Sequence, residues 1–442
     1  MVAPNPLEVG VLFGRAFGVS LVAHVVGNWA QPDFPSLVGA TNLLVGLAGL
    51  ALTMWPHRPL LLFASLLTVI SVLAEMPFTG NHWVLAALAS LSILATGGRA
   101  PQFSPALRSI FIVFYSFAAF SKLNSGFFDP SVSCAIFYAD QSLGGIGLGP
   151  IPGSHLLRSV VIWATAGVEL FVVPLFLIRR TRYAGMVLAT TFHVLISFDL
   201  SQHFYDFTAV LIALLVWFLP DASANEIARP VSARWRSIGR VGWLGLGVLL
   251  VVLANLPVTL LTLAILETVP FVLWIPASLF WLYRVFRAWL PGTPLVWRTG
   301  WLAGAVVVLA VLNGLTPYTE IKTGYGFNMY ANLVTAQGRS NHIFISHTLP
   351  LRSGYEGPVE IIQSSDPGLN LYRQHGYLIA YPQLQRYVAG SAITVEYRRN
   401  GEVKSLRGSD LEPGPVWWRF FPLRALDIES PPRCQDVFLP AL

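Results

Sequence analysis

The stretch Ile110-Phe-Ile-Val-Phe-Tyr-Ser-Phe-Ala-Ala-Phe-Ser-Lys-Leu-Asn124 combines a long apolar run with a lysine at its end. Such a run is typical of a helix that crosses the hydrocarbon core of a membrane. Lys122 is unusual there, because an ammonium at a helix centre is unfavourable by roughly 2.5–3.5 kcal/mol. Two interpretations stay open. The side chain can extend to lipid headgroups from the helix end, or it can act as a base in an apolar pocket.

The composition of the whole chain is that of a membrane protein. Its 442 residues are 54% hydrophobic and 11% charged, whereas soluble domains carry about 25% charge. The fold class predicted is an all-α polytopic membrane helix bundle with about 9–11 spans of about 20 residues each. The first span has no basic segment before it and no small-residue cleavage site, so we expect it to be retained. The predicted spans are 7–30, 37–55, 60–76, 83–96, 107–123, 159–178, 183–198, 207–219, 241–265, 271–283 and 299–316, the fourth, eighth and tenth being short.

Arginines cluster in alternate loops between these spans. The intervening loops contain acidic residues and no lysine or arginine. By the positive-inside rule the arginine loops are cytoplasmic. We therefore predict an inner or plasma membrane protein with a cytoplasmic N-terminus and an extracytoplasmic region after Leu315. The net charge of +6 then reflects orientation, so we expect membrane lipid as a partner and no nucleic acid.

The tail has a different character from the first part of the chain. Residues 1–316 form the predicted transmembrane domain, and residues 317–442 a small extracytoplasmic β-rich domain, because apolar runs give way to charge, proline and glycine. Short β-branched or aromatic segments at 339–346, 358–363, 377–381 and 392–399 predict strands. Asn400-Gly401 predicts a hairpin turn. Cys134 and Cys434 both fall in the extracytoplasmic part, where a disulfide is chemically permitted.

Several polar residues collect at the predicted outer ends of the spans. Asn81, His82 and Trp83 open the fourth span, Lys122 and Asn124 close the fifth, and His193 lies in the seventh. Intramembrane ionisable groups usually face a cavity or each other. We therefore predict that Lys122, His82 and His193 line one outward-facing cavity. His24 in the first span is predicted to be a hydrogen-bonded packing residue, while Glu169 in the sixth either belongs to this pocket or pairs with an arginine or a hydroxyl.

A second constellation, Asp199, His203 and Asp206, has the spacing i, i+4 and i+7. On a continuous helix these residues share a face and can ligate a metal, with His193 approaching from the span below. The same segment also fits a solvated loop between two helices. Because no HxxxH or HExxH pair accompanies it, we expect no metal.

Three stretches together resemble one family. The helix that ends in Phe-Ser-Lys122-Leu-Asn is similar to the lysine-bearing helix of vitamin K-dependent gamma-glutamyl carboxylase and of the horizontally transferred transmembrane (HTTM) domain proteins grouped with it. Asn81-His82-Trp83 resembles that family's Asn-His-aromatic motif. Thr191-Phe-His193-Val-Leu-Ile and the aromatic segment after it resemble a later histidine-bearing helix pair. The likeness covers roughly residues 7–220. The family has a second lysine before the catalytic one, where this chain has Ser121.

The resemblance implies a mechanism and a set of site residues. It makes Lys122 the base that deprotonates reduced vitamin K or another quinol, and His82 a second catalytic group near the glutamate that gains CO2. Asn81, Trp83, Asn124 and His193 would contact the cofactor. The implied activity is that of a lyase: CO2 addition coupled to quinone epoxidation, on a peptide or protein substrate at the outer face.

Two other functional classes stay open at this stage. The first is a non-catalytic membrane protein for binding, export or immunity that keeps the same fold. The second is a transporter, which favours broken helices and inverted repeats. The sequence contains no detectable internal repeat, so we prefer the enzyme and keep the binding protein as the alternative.

Overall fold

A computed structural model describes residues 7–28, 36–199, 204–228, 233–257, 259–288, 294–351, 357–427, 429 and 434. The chain is mostly helical up to residue 315 and has a small strand region near its C-terminus. The helices before residue 316 are α1 (Leu7–Gly27), α2 (Leu37–Met54), α3 (Arg58–Glu75), α4 (Asn81–Ala95), α5 (Ala100–Ser121), α6 (Cys134–Gly145), α7 (His155–Leu177), α8 (Arg182–Ile196), α9 (Tyr205–Leu215), α10 (Asp221–Ala228), α11 (Ala233–Leu253), α12 (Leu260–Arg287) and α13 (Trp301–Leu315).

Within the described residues, 6 of these helices are long and apolar enough to cross a membrane: most of α1, together with α2, α3, α5, α7 and α12. Shorter apolar helices are α4, α8, α9 with the turn after it, the second half of α11, and α13. Each predicted span overlaps one of these helices. The number of helices that cross the bilayer stays a prediction.

The boundaries of the ninth and tenth predicted spans are wrong. The span at 241–265 is interrupted, since α11 ends at Leu253 and α12 begins at Leu260, and the break predicted between residues 265 and 271 lies inside α12. Pro257, which lacks a backbone N–H, lies in the break, and Thr259 caps α12 through reciprocal hydrogen bonds with Thr262. The connection between the predicted spans at 107–123 and 159–178 contains α6, whose first turn is capped by the hydroxyl of Ser133.

The bundle core is built around α1, which packs against α2 and α9. The contact between α1 and α2 depends on two glycines. A Cβ on Gly18 would lie 2.6 Å from the carbonyl oxygen of Gly49, and a Cβ on Gly49 would lie 2.8 Å from that of Gly18. Small residues of this kind allow two helix backbones to approach closely. The α3–α4 pair and α13 complete the wall next to α5.

The strand region is a four-stranded antiparallel sheet with its own apolar core. Its strands are β3 (Pro358–Ser364), β4 (Leu378–Ala380), β5 (Thr394–Arg399) and β6 (Glu402–Arg407), in the order β4-β3-β5-β6. Asn400 and Gly401 have positive φ angles of 52° and 82° and join β5 to β6, which confirms the predicted hairpin. Two helices missed by the sequence analysis, α14 (Pro367–His375) and α15 (Tyr381–Val388), belong to the same unit. The predicted strand at 339–346 is reduced to β2 (Arg339–Ser340), which pairs with β1 (Thr335–Ala336).

The segment that follows α13 folds back over one end of the bundle. Phe327 donates its N–H to Asn81 Oδ1 at 2.9 Å, and the Tyr325 hydroxyl donates to the Pro77 carbonyl at 2.6 Å. Cys134 and Cys434 form a disulfide with a Cα–Cα distance of 5.1 Å. The pairing that the sequence analysis left open is therefore present, and it ties the last part of the chain to α6.

Candidate functional site

A cavity of about 460 Å³ lies between α5, α6, α7 and α8, beneath the segment that folds back over the bundle. Its walls are mainly apolar, and aromatic rings from several helices contribute to them. The polar groups that reach it are few, and they include Lys122, Glu169, His193 and Tyr115. A largely apolar pocket with a small number of converging polar groups is the usual form of a small-molecule site.

Lys122 and Glu169 form a buried ion pair on the wall of this cavity. Lys122 Nζ lies 2.9 Å from Glu169 Oε2, and the two side chains are only 6% and 12% exposed. The ammonium also donates long hydrogen bonds to the carbonyls of Ala118, at 3.4 Å, and Met329, at 3.3 Å. The lysine therefore points into the protein. This arrangement excludes the interpretation in which it extends to the headgroups.

His193 lines the same cavity from α8. Its Nε2 contacts the hydroxyl of Tyr115. Within the described part of the chain its Nδ1 is buried and has no hydrogen-bond partner. A buried polar atom without a partner is unfavourable by about 1–3 kcal/mol. An oxygen atom of a ligand in the cavity would satisfy it.

His82 does not line the cavity, which corrects the prediction that it shares one pocket with Lys122 and His193. Its Nε2 lies 2.9 Å from Asp206 Oδ2. Phe207 is the reason for the separation, because its side chain forms part of the cavity wall. The Phe207 ring centroid lies 5.9 Å from that of His82 and 5.0 Å from that of His193.

A separate polar cluster surrounds His82. The described residues His24, His82 and Asp206 each offer a ligand atom, and these atoms all lie within 4.8 Å of one another. His24 Nε2 is 3.2 Å from both carboxylate oxygens of Glu75. His24 is thus more than a packing residue, because it links two buried carboxylates that come from different helices.

The alternative in which Asp199, His203 and Asp206 share one face of a continuous helix is not found among the described residues. The helix α8 ends at Ile196 and α9 begins at Tyr205, so Asp199 lies in a non-helical connection. His203 lies outside the described residues. His193, predicted to approach this group, contacts Tyr115 instead, and Asp206 faces His82.

The remaining predicted cofactor-binding residues have structural contacts. Asn81 accepts a hydrogen bond from Phe327, and Asn124 Nδ2 donates to the carbonyls of Ser121 and Ala331 at 2.7 and 2.5 Å. Trp83 stacks on His24 with the ring centroids 3.5 Å apart. None of Asn81, Trp83 and Asn124 lines the cavity described above, so among the predicted cofactor-binding residues only His193 does.

The cavity reaches the protein surface between α6 and α8. Two of its lining residues, Ile146 and Leu195, are 51% and 54% exposed. Both are apolar, so the opening suits a ligand that arrives from a hydrophobic environment. Tyr138, Phe204 and Tyr330 pack ring against ring on another side of the cavity, with centroid distances between 4.3 and 5.4 Å.

Sequence reasoning found two of the cavity residues and missed others. Glu169 was noticed as an acidic residue in an apolar span, but nothing in the sequence indicated Lys122 as its partner. Glu75 was overlooked, although it is an acidic residue that ends an otherwise apolar helix. The contrast between this carboxylate and the apolar residues before it is the signal that could have identified Glu75. The wall formed by α6 was missed because Asp140, Gln141 and Ser142 interrupt its apolar character.

Comparisons with known protein families, with curated proteins and with solved structures give no match to this chain.

Proposed function

We propose that this chain is an integral membrane protein whose apolar cavity binds a lipid-soluble quinol, and that Lys122 takes a proton from a ring hydroxyl of that ligand. The observation that carries the proposal is the buried Lys122–Glu169 pair on the wall of an otherwise apolar cavity. Intramembrane ionisable pairs of this kind commonly mark substrate or proton pathways.

The residues present fit such a ligand. The cavity of about 460 Å³ is within the range of about 300–1,000 Å³ found for small-molecule sites. Its aromatic and aliphatic walls suit a flat ring and an isoprenoid chain. The unpartnered Nδ1 of His193 offers a hydrogen-bonding position for a ring oxygen.

A reduced quinone, when bound, supplies an ionisable hydroxyl and the reducing equivalents for carboxylase-type chemistry. The buried pair holds one proton between an amine and a carboxylate. When that proton resides on Glu169, Nζ of Lys122 is free to accept another from the ring hydroxyl. Glu169 can then stabilise the ammonium as its proton moves on, and the apolar walls exclude bulk water, which strengthens these charge interactions.

The further step, CO2 addition to a glutamate of a peptide or protein substrate, is supported only by the resemblance to vitamin K-dependent gamma-glutamyl carboxylase and the HTTM proteins. His82 would be the second catalytic group in that step. It lies on the end of the bundle covered by the folded-back segment, and 15% of its side chain is exposed.

The orientation that we propose has the N-terminus in the cytoplasm and the strand region outside. The alternation of arginine-rich and arginine-free loops supports it. The Cys134–Cys434 disulfide supports it independently, because disulfides persist in extracytoplasmic compartments and are rare in the cytosol.

A binding protein without catalytic activity is the second candidate. It is favoured by the fact that Lys122 has three oxygen partners within the protein itself. Turnover separates the two candidates, since a binding protein would take up the quinol and release it unchanged.

The test uses the full chain in lipid nanodiscs with a reduced naphthoquinone, oxygen, bicarbonate and a glutamate-containing peptide. The expected results are quinol binding and conversion to the epoxide by wild type, and loss of conversion in Lys122→Met. Lys322→Met is the matched control. Lys322 is a second buried lysine, bonded to Asn313 at 2.5 Å, and it does not line the cavity. Equal conversion by wild type and Lys122→Met would refute the role of Lys122, and binding without conversion would select the second candidate.

A further inference from the structure

The polar cluster beside the cavity has the donor set of a metal site. His24 comes from the last turn of α1, His82 from the first turn of α4 and Asp206 from the first turn of α9. Their ligand atoms converge within 4.8 Å in a buried position. We propose that His24, His82 and Asp206 bind one divalent transition-metal ion, with Zn²⁺ as the best-suited ion. The sequence analysis, in contrast, expected no metal.

The distances fit a tetrahedral ion. Zn²⁺ forms bonds of about 2.0–2.2 Å to imidazole nitrogen and carboxylate oxygen, which sets neighbouring ligand atoms about 3.2–3.6 Å apart. The His82 Nε2 and Asp206 Oδ2 atoms are 2.9 Å apart, and His24 Nδ1 and Asp206 Oδ2 are 3.7 Å apart. The ligand atoms of His24 and His82 are at most 4.8 Å apart, so shifts of up to about 1 Å would place all three atoms on one ion.

The direction of the His82 imidazole is a second and independent observation. Its Nε2 is buried and lies close to Asp206, yet it makes no hydrogen bond of acceptable geometry in the described structure. The nitrogen of His82 and the carboxylate of Asp206 thus lie side by side and do not point at each other. Two atoms that bind the same metal ion are arranged in this way. Gly80 leaves room for the ring in this orientation, because a Cβ at that position would lie 2.6 Å from His82 Cε1.

The outer shell is organised as in known metal sites. A metal-bound histidine usually donates its other ring N–H to a carboxylate, which fixes the tautomer and the ring orientation. Here His24 Nε2 faces Glu75 at 3.2 Å, so Nδ1 is the nitrogen left to bind a metal. Glu75 is in turn held by the hydroxyl of Ser71, which accepts a hydrogen bond from Trp83 Nε1 at 3.3 Å.

Charge balance points to a cation at the same place. Glu75 and Asp206 are both buried, and within the described part of the chain their ion-pair partners are histidines alone, with no lysine or arginine. Buried carboxylates require positive partners. One divalent ion with two neutral imidazoles satisfies both of them, and so do two protonated imidazoles. The experiment below separates these two states.

One side chain has to move when the ion binds. Asn28 Nδ2 lies 3.0 Å from His24 Nδ1, the nitrogen assigned to the metal. The same amide also donates to the carbonyl of His24 at 2.9 Å, so it keeps a partner after turning away.

The test measures metal binding by the full-length chain in detergent or nanodiscs, first stripped with a chelator. ZnCl2 is added and bound zinc is counted by mass spectrometry after desalting. CoCl2 is used in parallel because Co²⁺ in a tetrahedral site absorbs visible light. Wild type should retain about one zinc per chain, and Asp206→Asn and His82→Ala should lose it. Glu75→Gln should bind about 10–100-fold more weakly, since it changes only the outer shell.

His342→Gln is the control, because His342 is a buried histidine bonded to the Phe120 carbonyl at 2.9 Å, outside the cluster. It should bind zinc as wild type does. Folding of each variant is checked by gel filtration. Wild type that retains no zinc and shows no Co²⁺ absorption would overturn the proposal and leave imidazolium–carboxylate pairs only. Zinc bound equally by folded Asp206→Asn and His82→Ala would overturn it as adventitious binding. None of these measurements depends on quinol conversion, so the proposed activity can fail while the metal site stands, and the reverse also holds.

Discussion

Breaking the Lys122–Glu169 pair should destabilise the protein more than removing it altogether. Truncating one partner of a buried ion pair costs about 3–5 kcal/mol, because the other charge is left without compensation. Glu169→Gln leaves the ammonium with the carbonyls of Ala118 and Met329 at 3.4 and 3.3 Å. We therefore expect the lower end of that range, about 3 kcal/mol.

Lys122→Met should be more damaging than Glu169→Gln. Within the described residues Glu169 Oε2 has no hydrogen-bond partner, and Lys122 is its ion-pair partner. The loss of Lys122 should therefore lower the free energy of unfolding by about 5 kcal/mol. In the double variant Lys122→Met/Glu169→Gln both charges are gone, so it should be destabilised by less than about 3 kcal/mol. The two single effects together amount to about 8 kcal/mol, so the substitutions should be non-additive by more than about 5 kcal/mol.

The assay is reversible unfolding in mixed micelles, titrated with a denaturing detergent and followed by tryptophan fluorescence and circular dichroism. The quantity compared is the free energy of unfolding of wild type, the two single variants and the double variant. Lys322→Met serves as the control for loss of a buried lysine elsewhere. Additive single effects within about 0.5 kcal/mol would refute the coupling inferred from the 2.9 Å contact.

Three further outcomes follow from other parts of the fold. Cys434→Ser removes the crosslink to Cys134, which closes a separation of 300 residues. The free energy of unfolding should therefore fall by about 2–5 kcal/mol, and an equal value for the serine variant and oxidised wild type would contradict this. Burial lowers the pKa of Lys322 from 10.5 to about 8. The unfolded chain therefore binds more protons between these two pH values, and the stability of wild type relative to Lys322→Met should rise with pH across that window, by up to roughly 1.4 kcal/mol per pH unit; a flat difference in denaturation titrations at several pH values would contradict it. Asn124→Ala should destabilise the folded-back segment by about 1–3 kcal/mol for each buried group left unpaired. This loss should appear as faster amide hydrogen exchange near Ala331. Unchanged exchange there would show that the Asn124 amide is dispensable.

Local signals in the sequence predicted much of the fold. Apolar runs with arginine-bearing turns located the helices, because membrane burial requires long apolar segments. Asn400-Gly401 predicted its hairpin from the positive φ angles that such a turn needs. The boundaries failed where short-range chemistry changed the outcome. Pro257 and the Thr259 cap divide one predicted span, and α6 forms without an apolar run of membrane length.

The site was harder to predict because its contacts are long-range. Lys122 and His193 were found since each is an ionisable group in an apolar helix. The pairing of Lys122 with Glu169 depends on how α5 packs against α7, and no local pattern encodes it. The same holds for the cluster of His24, Glu75, His82 and Asp206, whose members come from four different helices. Helical spacing instead grouped Asp206 with Asp199 and His203, across a connection where the helix is interrupted.

The Phe207 ring also explains why the structure has a cavity and a separate polar cluster where the sequence predicted a single pocket. It separates the cavity from the polar cluster while contacting a histidine of each. Similar depth along the helices suggested a single site, but side-chain direction around the helix axes decides which cavity a residue faces. That direction could not be inferred from the order of residues alone.

The most direct test of the central claim is an electron cryomicroscopy map of the full chain in nanodiscs, prepared with a saturating reduced naphthoquinone that carries an isoprenoid tail. The account predicts a planar density inside the cavity, with one oxygen within hydrogen-bonding distance of Lys122 Nζ or His193 Nδ1 and the tail leaving between α6 and α8. A cavity that holds only lipid or detergent, with Lys122 and Glu169 paired as described above, would contradict it.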